Sequence, residues 1–182
     1  MAEFRLETDR LVMRSWRDDD VDIFHAINSD PRVRKTLGPI MTRQQVIDLI
    51  AWMQDLQSTH GHCFWALETK EPQELIGWCG LIRGGENTPA FEKLEIGWRM
   101  AFAQWGKGYI TEAAEKCCSW AAEHFPDEKI WAITSENNHR SRAVMERLQM
   151  KYKPALDFDH PNVDPKSDLL RHVTYVREYH HV

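Results

Sequence analysis

In the stretch AQWGKGYITEAA (Ala103–Ala114), Gly106 and Gly108 bracket Lys107 directly before a run of good helix formers. The first N–H groups of a helix have no internal partners. Together with the helix dipole they form an anion site worth about 1 kcal/mol per well-placed interaction. Glycine at 106 and 108 removes side chains that would hold a phosphate away from the backbone, and Lys107 adds positive charge. The same residues also make an ordinary tight strand-to-helix turn, and the pattern alone leaves both readings open. It is neither G-x-x-x-x-G-K-[ST] nor G-x-G-x-x-G, so a P-loop and a dinucleotide fingerprint are excluded.

Other reactive side chains are less specific. Cys63, Cys79, Cys117 and Cys118 contain no C-x2-C pair, and Cys63 and Cys79 lie in apolar runs, so they read as small buried hydrophobes and no metal is expected. Glu92 and Glu95 are three apart, which on a strand puts them on opposite faces and makes a poor acid/base pair. Asp157, Asp159 and His160 cluster in a late loop without ligand spacing and read as a solvated turn; an acidic loop meeting a cationic substrate is the sharper alternative. The terminal HHV has too few histidines for a site. Most of the eight tryptophans are expected in the core, one or two of them lining a groove.

These residues need elements to hold them. Arg10–Trp16 alternates as a strand, and RDDDVDIFHAINSDP reads as a helix with acidic residues at its positive end and Pro31 at its close. Thr42 and Gln45 form a capping-box signature ahead of a helix with Val46, Leu49, Ile50 and Met53 on one face and Gly61 after its end. His62–Thr69 and Glu74–Arg83 read as a hairpin and Phe91–Met100 as a third strand. Gly108 to about Phe125 turns helical, Lys129–Ser135 is a short buried strand, Asn138–Leu148 a helix and Arg171–Tyr179 a last strand. The loop of about a dozen residues before that strand is long enough to suggest function.

The 182 residues predict one mixed α/β domain with layered sheet and helices. A net charge of −5 gives nucleic-acid binding no global help. The opening MAEFRLETDR has no signal-type apolar core, and no apolar run approaches a membrane span, so a cytoplasmic location and no membrane partner are expected.

Several blocks in order resemble the GNAT superfamily of acyl-CoA-dependent N-acetyltransferases, and more closely its ribosomal-protein N-terminal acetyltransferases. They are LETDRLVMRSW, FWALE, LIGWCGL, EIGWRM, WGKGYITEAA and TSENNHRSRAVMERLQM, with FDHPNV and LRHVTY in the tail. The resemblance covers nearly the whole chain. It implies a mostly antiparallel central sheet flanked by helices, with acetyl-CoA as cosubstrate. By position, the backbone of Trp98, Arg99 and Met100 would pair with the pantetheine arm. Trp105, Gly106, Lys107, Gly108, Tyr109 and Ile110 would surround the pyrophosphate, and Asn138 would hold the pantetheine or thioester end. Trp105 departs from the Arg or Gln common at the first loop position. Ile110, bulkier than the usual Gly or Ala, is expected to weaken or shift binding at worst, and Gln149 stands where the family tends to have Gly.

Acetyl transfer needs a neutral amine, and amines have pKa values from about 8 (α-amino) to about 10.4 (lysine). A carboxylate can take the proton and an N–H donor can steady the oxyanion. The resemblance makes Glu95 the expected base and Ser141 the expected acid toward the departing thiolate. A salt-bridged strand glutamate and a helix-capping serine are the plainer readings, as a helix N-cap is for Asn138. Tyr109 is a further acid, with packing beside the loop the simpler role. The expected reaction is direct transfer to an amine, a small molecule or a protein N-terminus, by a monomer or homodimer. A non-catalytic CoA-binding module and a nucleotide-binding domain remain alternatives.

Overall fold

Short apolar runs organise the chain around one continuous sheet. The computed structural model describes residues 3–178, so Tyr179 and the histidines of HHV lie outside the described residues. The strands are β1 (Arg5–Glu7), β2 (Leu11–Arg14), β3 (Phe64–Thr69), β4 (Glu74–Arg83), β5 (Leu94–Met100), β6 (Ile130–Ser135), β7 (Lys151–Tyr152), β8 (Phe158–Asp159) and β9 (Arg171–Arg177). Their order is β1-β2-β3-β4-β5-β6-β9-β7, with β8 on β9. Every pairing is antiparallel except β5 with β6.

The helices are α1 (Asp20–Ser29), α2 (Pro31–Arg34), α3 (Arg43–His60), α4 (Tyr109–His124) and α5 (His139–Arg147). The capping box at Thr42 and Gln45 forms as expected, and Gly61 closes α3 in the left-handed conformation at φ 76°. Pro31 does end α1, but it also opens α2, where its missing N–H costs nothing. Small residues let α4 lie close on the sheet: Ala113, Ala114, Cys117, Cys118 and Ala121 are all buried. Cys117 Sγ sits 3.8 Å from Cys79 Sγ and 3.3 Å from Met13 Sδ, and all four cysteines are buried and outside any disulfide. Burial pushes the Cys63 and Cys118 thiols up to about 12, which suits packing and not nucleophilic chemistry.

Three expectations shift. The third strand starts at Leu94, because a turn precedes it in which Glu92 takes φ 58°; Glu92 therefore shares no strand with Glu95. The late loop is partly a hairpin, since β8 pairs Phe158 with His172 and Asp159 with Arg171. The last strand ends at Arg177. Gln149 does take the left-handed position after α5, at φ 59°, and its N–H bonds the Glu146 carbonyl.

Candidate active site

The site is built on a fork in the sheet. β5 pairs with β4 along its full length, from Leu94 with Arg83 to Met100 with Gly77. It pairs with β6 only at Leu94–Ile130 and Glu95–Trp131. Beyond that point β6 continues with β9 as far as Ser135, and the edge of β5 from Ile96 to Met100 has no strand partner among the described residues. Parallel strands that part in this way leave one row of backbone donors and acceptors facing a cleft. Trp98, Arg99 and Met100 lie on that edge. The Met100 carbonyl also accepts from Trp105 Nε1 at 2.9 Å, so Trp105 ties the loop to the strand.

At the end of β5 the glycine turn leads into α4. Gly106 and Gly108 adopt φ 81° and 78°, which side-chain-bearing residues disfavour. Gly108 is the N-cap of α4 and no side chain caps this end. The backbone N–H groups of residues 106–111 donate to nothing among the described residues; the first bond into the helix is Glu112 N–H to the Gly108 carbonyl. The Trp105 N–H, by contrast, is taken by the Phe102 carbonyl. Ile110 turns its side chain into the core, 8% exposed, and does not crowd the loop. Lys107 is exposed and its Nζ reaches Gln104 Oε1 at 2.7 Å.

Two arginines distant in sequence complete this end. Arg10 donates to the Lys107 carbonyl at 3.1 Å, pairs with Glu112 and stacks its guanidinium 4.6 Å from the Tyr109 ring centroid. Tyr109 thus packs against Arg10 and the core. The Arg140 guanidinium lies 4.5 Å from the Trp105 ring centroid. Sequence reasoning missed both, because nothing local ties Arg10 or Arg140 to the turn.

Glu95 occupies the vertex of the fork, at the last residue pair shared by β5 and β6. It is half-buried and meets no hydrogen-bond or ion-pair partner among the described residues, and burial raises its carboxyl to about 7. A carboxyl group that titrates near neutrality can accept an amine proton at physiological pH. Alternation puts Glu95, Gly97 and Arg99 on one face. Gly97 is required there: a Cβ would come within 2.9 Å of the Phe64 ring. Phe64 and Trp78 stack at 4.2 Å between centroids over this position.

Past the end of β6, Asn138 caps α5 through Oδ1, which accepts from the Ser141 N–H at 3.3 Å. Its Nδ2 donates to Thr134 Oγ1 and to Ser141 Oγ, both at 3.0 Å. The capping reading of Asn138 therefore holds as geometry. Ser141 Oγ accepts from Asn138, and its own O–H finds no acceptor in the protein among the described residues.

The late acidic cluster disperses. Tyr152 Oη donates to Asp157 Oδ2 at 2.5 Å, Asp159 pairs with Arg171, and His160 Nδ1 accepts from the Asn162 N–H. No group of three His, Cys, Asp or Glu side chains is arranged to hold a metal among the described residues. No helix among the described residues is long and apolar enough to cross a membrane.

Comparison with known proteins bears on the family and the fold. The family model for the acetyltransferase (GNAT) domain matches residues 10–151. An uncharacterized protein of Bacillus subtilis, YkkB, is 29% identical over 157 residues, 85% of this chain and 90% of YkkB. An uncharacterized N-acetyltransferase of Bacillus licheniformis, p20, is 29% identical over 149 residues, 80% of this chain and 82% of that protein. Among solved structures, RimL, a ribosomal α-N-protein acetyltransferase in complex with coenzyme A, superposes with a TM-score of 0.77 at 12% identity. The match covers 96% of this chain and 97% of RimL, so the likeness is one of fold.

Proposed function

This chain belongs to the GNAT acetyltransferase family, and from that premise we propose that it moves the acetyl group of acetyl-CoA directly to a primary amine while both are bound. In this reading the free edge of β5 at Trp98, Arg99 and Met100 receives the pantetheine arm. The N–H groups from Gly106 to Ile110 receive the diphosphate, with Lys107 adding charge and Trp105 bracing the turn. Asn138 steadies the thioester end. Glu95 takes a proton from the incoming ammonium. The neutral amine attacks the thioester carbon, a C–N bond forms, the C–S bond breaks, and the surplus proton on the nitrogen passes to solvent. The Ser141 hydroxyl delivers a proton to the departing thiolate, and solvent restores it.

The observation that carries the reading is the conjunction at the fork: an unpaired carboxyl group at its vertex and a row of unused backbone donors at its end. Calorimetry is expected to give acetyl-CoA binding below millimolar concentration, and a panel of amines is expected to yield free thiol. No binding at millimolar acetyl-CoA would end the proposal. Binding without thiol release on any amine would leave a non-catalytic CoA-binding module. Displacement of CoA by ATP would favour a nucleotide-binding domain.

A further inference from the structure

The face of β5 that carries Glu95 also carries a cation with no counter-charge. Trp78 and Arg99 are cross-strand partners on β4 and β5. The Arg99 guanidinium lies 5.5 Å from the Trp78 ring centroid, and its Nη1 donates to Asn28 Oδ1 at 2.5 Å. Its Nε is buried without a hydrogen-bond partner, and so is Trp78 Nε1 in a residue only 7% exposed. Arg34 stands near enough that its charge, after burial itself, helps pull Arg99 down to about 9. Arg34 spends its donors on the carbonyls of Leu37 and Pro39.

Neither guanidinium meets a carboxylate among the described residues. The contrast with Arg14 is informative: that arginine is buried, and it binds both Asp20 and Glu68. An uncompensated buried cation is costly, and an orphaned buried donor adds to the cost. Here Arg99, with Arg34 near it, and two orphaned N–H groups lie on the same sheet face as the carboxyl group expected to deprotonate the acceptor, at the other end of the strand. An anion with two acceptor atoms answers all four at once. A carboxylate has that form, with one oxygen for Arg99 Nε–H and one for Trp78 Nε1–H.

We propose that the acceptor is an amine bearing its own carboxylate, an amino acid or short peptide, with the amine at Glu95 and the carboxylate at Arg99 and Trp78. Four residues of strand separate the two ends, about 13 Å between Cα positions, which long side chains shorten. Phe64 and Trp78 give the span between them an apolar floor. The inference rests on the transferase reading above, but its test does not depend on turnover.

Binding is measured by calorimetry in the presence of saturating CoA. The probes are the proteinogenic amino acids, 6-aminohexanoate and dialanine, each beside its amide, with O-phosphoethanolamine as a further arm. At least one acid is expected to bind about tenfold or more tightly than its amide, the effect of one charge-assisted contact. Arg99→Met is expected to erase that preference. Trp78→Phe keeps an aromatic ring on Phe64, removes the Nε1 donor together with part of the indole, and is expected to reduce it. Unchanged circular dichroism qualifies each variant, and should Arg99→Met fail to fold, Trp78→Phe decides. Equal binding of every acid and its amide, no acid binding at all, a preference that survives the deciding variant, or a preference for O-phosphoethanolamine over every carboxylate overturns the inference. If CoA binds and these results appear, this inference fails alone; if CoA does not bind, the transferase reading fails first.

Discussion

Glu95 titrates late because it lies where two strands separate, half-buried and without a donor to stabilise its charge. The deprotonated form is the base, so kcat/KM is expected to rise with pH through about 7 and level off above it. Glu95→Gln should lower kcat/KM by about 100-fold and flatten that limb. Stability runs the other way. A carboxyl group raised from 4.5 to about 7 contributes stability below its unfolded pKa and loses it as pH climbs through the folded value. Relative to wild type, Glu95→Gln should therefore gain stability at pH above 7 in chemical denaturation. Ser141→Ala is expected to lower kcat with little change in KM for acetyl-CoA. It deletes the hydroxyl and leaves the Asn138 Oδ1 cap to the backbone N–H intact. Equal kcat in the two forms would return Ser141 to a structural role. At this scale the sequence identified which residues to ask about. It did not reveal that Asn138 and Ser141 bond each other, or that Arg99 and Trp78 are left with unused donors. Those facts depend on neighbours far along the chain.

Left-handed residues flank α4 and α5 with opposite consequences. At the start of α4 glycine holds the strained positions, so Gly108→Ala is expected to cost about 1 kcal/mol and to weaken CoA binding measurably by calorimetry. At the end of α5 the strain falls on Gln149. Gln149→Gly is expected to stabilise the protein by about 1 kcal/mol, raising Tm by roughly 2–4 °C, with activity unchanged. The position stood out because the resembling family tends to have Gly where Gln149 is, and the capping box at Thr42 and Gln45 was legible as a local pattern. Strand limits were less so. FEKLEIG offers strand-like residues from Phe91, but the turn that puts Glu92 at φ 58° delays the strand to Leu94. β7 and β8 have two residues each and are defined by β9 beside them, not by their own composition.

At the scale of the molecule, the fork arises because β6 commits its length to β9 and only two residues to β5. No local pattern encodes that choice, so the order of blocks, and not periodicity, was what pointed to it. The far end of the sheet is held by the buried Arg14, which makes two 2.8 Å bonds to Asp20 and one of 2.9 Å to Glu68. Arg14→Met would leave two carboxylates facing each other in the interior, and urea denaturation should show a loss of about 3–5 kcal/mol. The central claim is that a diphosphate-bearing carrier docks on the N–H groups at the start of α4. It is tested most directly by following backbone amide signals in NMR while CoA is titrated in. The largest shifts are expected at residues 106–111, and they should shrink in Gly108→Ala. Saturation of the protein by CoA with those signals unmoved, and the main shifts elsewhere, would contradict the account.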